Sequence, residues 1–129
     1  MNSIIWYESL NKPFLSPPEW IFTPVWTILY IMILISFVLF VKGHYTGSKI
    51  VPLFLFFIQL SLNLAWPVVF FYLENITLGL YILGALCIFL MLTIISFYKY
   101  SKNASLLLVP YFCWTCFALY LNFGYYVLN

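Results

Sequence analysis

Arginine and aspartate are absent from this chain, and the charges it carries are few: lysines 12, 42, 49, 99 and 102, and Glu8, Glu19 and Glu74. At 6% charged residues it falls far short of the roughly one quarter that a solvated surface requires, which excludes an ordinary water-soluble domain. So few cations cannot form the basic patch that binds nucleic acid. The three cysteines, Cys87, Cys113 and Cys116, all lie within apolar sequence, which argues against a secreted disulfide scaffold. Cys113 and Cys116 do form a C-x-x-C, but no neighbouring charge favours a thiolate, so small apolar packing is the expected role. The single histidine, His44, has no acidic or thiol partner at ligand spacing, and no metal site is expected. There is no Ser-His-Asp arrangement, no carboxylate pair within an apolar run and no phosphate-binding glycine loop, so hydrolase or transferase chemistry is not expected.

What the chain has in quantity is apolar sequence, 66% of it, in four uncharged runs at residues 20–41, 50–72, 76–98 and 106–128. Each is long enough to cross a hydrocarbon core, which takes about 20 residues. The expected fold is therefore all-α: an integral membrane bundle of four transmembrane helices at about residues 16–42, 50–73, 76–99 and 105–128. Residues 1–129 then form one transmembrane domain. Residues 1–19 hold no continuous apolar stretch and place Glu8 and Lys12 where a signal peptide needs its hydrophobic region, so no signal peptide is expected there, and residues 1–15 are expected to be an extramembrane loop or lid.

Lysine placement sets the orientation. Lys42 and Lys49 flank one loop and Lys99 and Lys102 the other, while the opposite side has Lys12 alone, so the two lysine loops are expected to face the cytoplasm. The layout suits a multi-pass protein of a bacterial cell membrane. Ser16-Pro17-Pro18-Glu19 places a hydroxyl at the N-cap, proline at the first helical position and glutamate at N3, a capping box for the first helix. Pro24, Pro67 and Pro110 each remove a backbone donor and are expected to bend their helices.

Aromatic residues make up 23% of the chain, and part of that is the belt expected at two membrane interfaces, a role that suits Tyr98, Tyr100, Tyr125 and Tyr126. Trp26, Trp66 and Trp114 instead fall inside the runs. Gln59, Asn63, Trp66 and Phe70 recur at helical spacing as one stripe, and Trp114, Ala118, Leu121 and Tyr125 as another, with Asn122 one step aside. An amide facing lipid is costly, so Gln59, Asn63 and Asn122 should point into the bundle. Such amides serve either as helix-to-helix hydrogen bonds or as the polar part of a ligand pocket.

Trp6-Tyr7, Leu10-Asn11-Lys12-Pro13, Pro17-Pro18, Trp20 and Pro24-Val25-Trp26-Thr27 with Leu29-Tyr30 form one motif. Gln59, Leu62-Asn63, Ala65-Trp66-Pro67 and Phe70-Phe71 form a second, and Pro110-Tyr111, Trp114, Phe117-Ala118 and Leu121-Asn122 a third. Over nearly the whole chain, and in this order, they resemble the translocator protein or tryptophan-rich sensory protein family, TspO/MBR, also called the peripheral benzodiazepine receptors.

The resemblance implies a homodimeric helical bundle that binds protoporphyrin IX, related tetrapyrroles or other hydrophobic small molecules, with porphyrin as ligand and no required cofactor. Its roles would lie in tetrapyrrole transport, sensing or light-dependent degradation, the last at Trp26 and Trp114. A flat macrocycle needs aromatic faces, a few polar groups and an apolar slot. Trp26, Trp66 and Trp114 would supply the faces, Gln59 and Asn63 the donors and Ala118 the room, with Tyr30 and Leu121 as further ligand-binding residues. Lys12 would either pair with a propionate or snorkel to the interface. The family's five helices include one before the loop that begins here at Trp6, so the first helix is expected to be missing. A basic residue near the carboxyl end, which a sterol pattern needs, is also lacking.

Two other readings fit the span count. A small multidrug-type exporter would need a membrane-embedded carboxylate, and Glu8, Glu19 and Glu74 all lie outside or at the edge of the runs. A structural subunit of a larger membrane complex would use its aromatics only for packing.

Overall fold

The computed structural model describes residues 21–43 and 47–129, and every regular element among them is helical. Helix α1 is Phe22–Lys42 and α2 is Ile50–Pro67, which runs on as the wider π-helical turn Val68–Tyr72. Helix α3 is Ile76–Tyr98, the short α4 is Lys102–Leu107 and α5 is Val109–Leu128. Four segments are long and apolar enough to span a membrane: Pro24–Lys42, Ile50–Tyr72, Ile76–Tyr98 and Lys102–Leu128. The capping box at Ser16 to Glu19, the segment 1–15 with Lys12, and His44 lie outside the described residues.

Two of the prolines coincide with irregularities inside otherwise continuous spans. Pro24 lies three residues into the described part of α1, which begins at Phe22. Pro67 closes the regular part of α2, and the bonding widens beyond it: Leu73 N–H donates to Val68 O at 3.0 Å and Asn75 N–H to Val69 O at 3.1 Å. Pro110 occupies the first turn of α5, after a break at Leu108 that separates α4 from α5. The chain reverses between α2 and α3 at Glu74, whose φ of 52° is left-handed, and the Asn75 side chain caps α3 by accepting from Leu78 N–H at 2.9 Å.

Helix α3 packs against α2, α4 and α5, whereas α1 leans on α4 and α5. The antiparallel register of α3 against α5 and then α4 runs from Gly79 opposite Asn122, through Leu83 and Leu86 against Ala118, to the bond from Ser105 Oγ of α4 to Ile94 O at 2.8 Å. Ser36 Oγ ties α1 to Ala104 O at 2.6 Å. In the apolar core Phe40 stacks on Phe97 with centroids 4.1 Å apart, and Phe97 lies 5.7 Å from Phe56. The two buried threonine hydroxyls instead bond within their own helices, Thr93 to Phe89 O and Thr115 to Tyr111 O. Ile28, Leu34, Phe54, Ile88 and Phe123 face outward, an apolar exterior suited to lipid.

The lysine end is clasped. Lys49 Nζ donates to Val41 O at 2.7 Å and Gly43 O at 2.9 Å, the free carbonyls ending α1, and lies within 6 Å of the Phe40 and Tyr100 rings. Tyr100 OH donates to Ser48 O at 2.6 Å. Tyr100 and Tyr125 are therefore buried core residues and not members of the interfacial belt, while Tyr98 and Tyr126 are exposed.

Candidate functional site

The expected stripe of α2 faces inward along its whole length. Gln59 is 0% exposed and Asn63 2%, Phe70 is buried and Trp66 half-buried. Spacings of four, three and four keep these side chains on one side of a helix with 3.6 residues per turn. The stripe then divides between two groups of partners.

The first group joins α1, α2 and α5. Tyr30 OH donates to Asn63 Oδ1 at 2.6 Å, Asn63 Nδ2 donates to the Tyr111 hydroxyl at 2.7 Å, and Tyr111 OH donates to Gln59 Oε1 at 2.9 Å. Trp26 covers this line of bonds, with its ring centroid 5.9 Å from Tyr30, 6.4 Å from Tyr111 and 6.4 Å from Trp114. Its contacts with Tyr111 and Trp114 are edge-to-face, the arrangement that ring quadrupoles favour. Trp26, Tyr30 and Trp114 are half-buried as residues, with the Trp114 indole nitrogen inside the bundle.

The second group joins α2, α3 and α5 around Trp66. Its Nε1–H donates to Asn122 Oδ1 at 3.0 Å, Asn122 Nδ2 donates to Ile76 O at 3.0 Å, and the indole stacks on Phe70 at 5.0 Å. Ala118 and Leu121 are buried here, beside Trp66. Of the expected site residues, the structure thus gathers Trp26, Tyr30, Gln59, Asn63 and Trp114 into one cluster and sets Trp66, Ala118 and Leu121 in a neighbouring one. Lys12 lies outside the described residues.

Tyr111 is the residue that site reasoning from sequence passed over, although it is fully buried and bonds two amides. Its signal was present in the spacing: Tyr111, Thr115, Ala118, Leu121, Asn122 and Tyr125 form the buried face of α5, which shares Ala118, Leu121 and Tyr125 with the line drawn through Trp114. A cavity of about 530 Å³ lies elsewhere, lined by Glu74, Asn75, Thr77, Tyr126 and Asn129 among others. It has neither the aromatic faces nor the buried amides of the Trp26 cluster, which remains the chemically equipped site. Among the described residues no group of His, Cys, Asp or Glu is placed to hold a metal ion, and the three cysteines are free thiols.

The chain is similar to known proteins over most of its length. The TspO/MBR family pattern matches residues 1–128. The chain is 44% identical over 125 residues to the tryptophan-rich protein TspO of Archaeoglobus fulgidus, an alignment spanning 96% of this chain and 80% of that one. To the tryptophan-rich protein TspO of Chlorobaculum tepidum it is 45% identical over 125 residues, spanning 96% and 79%. To the translocator protein of Homo sapiens it is 37% identical over 120 residues, spanning 92% and 71%. With four helices apolar enough to cross a bilayer and this match along almost its whole length, the chain belongs to the TspO/MBR family and is an integral membrane protein.

Proposed function

We propose that the chain is a membrane-embedded receptor for tetrapyrroles, with protoporphyrin IX as the reference ligand. The observation that carries this reading is the cluster in which Trp26 and Trp114 lie 6.4 Å apart and half-buried, and Trp26 packs against Tyr30 and Tyr111, whose hydroxyls bond the buried amides of Asn63 and Gln59. A flat apolar macrocycle gains from stacking on indole faces, and a few fixed polar groups orient it. The same reading takes Lys12 as the partner of a propionate and a second copy of the chain as the partner in a homodimer. It also takes Trp26 and Trp114 as the side chains involved if bound porphyrin is degraded in light. The translocator name of the human relative fits handling of a membrane-soluble ligand. A proton-coupled exporter is the weaker reading, since the acidic side chain among the described residues, Glu74, stands at the turn between α2 and α3.

The test is a titration of the detergent-purified protein with protoporphyrin IX, followed by quenching of tryptophan fluorescence, beside a Trp114→Phe variant. Saturable quenching in the micromolar range, weakened in the variant, is the expected result. Quenching that never saturates would remove the receptor assignment.

A further inference from the structure

The hydrogen bonds of the first cluster run in one sense. Tyr30 donates to Asn63, Asn63 to Tyr111 and Tyr111 to Gln59, and there the line stops. Gln59 Nε2 is buried and has no hydrogen-bond partner among the described residues. Burying an amide N–H without an acceptor costs free energy that a helix packed only for stability has no reason to bear.

The sense of the line follows from its chemistry. As drawn, two phenol protons meet two amide oxygens, the best match of donor and acceptor the four side chains offer. Turning the Gln59 amide alone would point two N–H groups at the Tyr111 oxygen and leave the Tyr111 proton with no acceptor in the line. Reversing the whole line would replace one phenol-to-carbonyl bond with an amide-to-phenol bond and bury the Gln59 carbonyl without a donor. The free group at the end of the line is therefore a donor.

We infer that Gln59 selects the ligand by an oxygen acceptor, and that this acceptor is uncharged: a ketone, ester or amide carbonyl, or an un-ionised acid. The assignment rests on the receptor reading above. Neutrality follows from position. Gln59 lies nine residues along α2 from Ile50, about 14 Å at 1.5 Å per residue, from the end where Lys42, Lys49, Lys99 and Lys102 gather. An ionised carboxylate drawn to a fully buried amide, with no cation beside it among the described residues, loses more hydration than one hydrogen bond returns. A carbonyl oxygen loses little and meets the unpaired donor.

The experiment compares protoporphyrin IX with its dimethyl ester on the wild-type chain and on Gln59→Leu, at a pH where the free acid is ionised. Ester binds more strongly to any apolar site, so the quantity that counts is the ester-to-acid affinity ratio in one protein divided by the ratio in the other. That quotient should be about tenfold in favour of wild type, the scale of one well-formed hydrogen bond in a dry site. Infrared spectra of the bound ester give a second measurement that does not need the variant to fold: the ester carbonyl stretch should move to lower frequency on binding wild type. Equal ratios in the two proteins, or an unshifted carbonyl on wild type, would overturn the role of Gln59 while leaving the receptor standing. If neither ligand binds wild type saturably, the receptor reading fails first and the role of Gln59 falls with it.

Discussion

Tyr111 places one hydroxyl between two amides, accepting from Asn63 and donating to Gln59, on a side chain that is fully buried. Tyr111→Phe keeps the ring and its contact with Trp26 but leaves the Asn63 N–H and the Gln59 carbonyl without their partner. Hydrogen bonds between membrane helices average about 0.6 kcal/mol, and orphaned buried groups add to that, so a loss of about 1–3 kcal/mol is expected. Tyr30→Phe removes one bond at a half-buried position and should cost about 1 kcal/mol or less. Thermal unfolding in detergent measures both, and an inverted order would show that Tyr111 is not the centre of the network. The amides of this network were legible in the sequence, because an amide at membrane depth has only one economical direction to face. Tyr111 was not, because a tyrosine near the end of an apolar run suits the interface and the core equally well, and Tyr100 and Tyr125 show the same ambiguity.

Helices α2, α3 and α5 meet where the bond from Trp66 to Asn122 passes over Gly79. A methyl group at Gly79 would stand 3.1 Å from Asn122 Oδ1 and 3.3 Å from Trp66 Nε1, so the two bonded side chains would have to give by a few tenths of an ångström. Glycine here permits close approach of helices, and its backbone freedom is not used. Gly84, one turn and a half further along α3, has nothing within 4 Å of an added methyl. Gly79→Ala is therefore expected to destabilise the bundle by about 1–3 kcal/mol and to change the emission of Trp66. Gly84→Ala should be neutral, or stabilising by up to about 1 kcal/mol through helix propensity. Calorimetry of the two variants side by side would refute this account if they behaved alike. At this scale the spans and the inward stripe of α2 follow from charge-free runs and 3.6-residue spacing. The break at Leu108 and the π-helical turn after Pro67 do not, because a proline marks a lost donor without saying which neighbour takes up the freed carbonyl.

Across the whole molecule the two ends differ in charge and in construction. At one end Lys49 closes the α1 terminus, Gly43 packs directly on the Tyr100 carbonyl, and Lys42, Lys99 and Lys102 stand exposed around them. At the other, Glu74 and Asn75 turn the chain beside Tyr126 and Asn129. The lysine loops, separate in sequence, thus form one surface, so their charges act together on membrane insertion. An excess of lysine retains its loops on the cytoplasmic side. Single cysteines at exposed positions report this directly: Thr77→Cys lies at the glutamate end and Ser48→Cys at the lysine end, where the exchange leaves in place the backbone carbonyl that Tyr100 uses. Cys87, Cys113 and Cys116 each lie deep in a span, about eleven residues or more from either end, whereas Thr77 is the second residue of its own, so a charged, membrane-impermeant maleimide should leave the unmodified chain unlabelled. In intact cells the reagent is expected to label Thr77→Cys, and to reach Ser48→Cys only once the membrane is opened. The opposite pattern would put all four lysines outside, and the charge bias would then have no part in setting the orientation of this bundle.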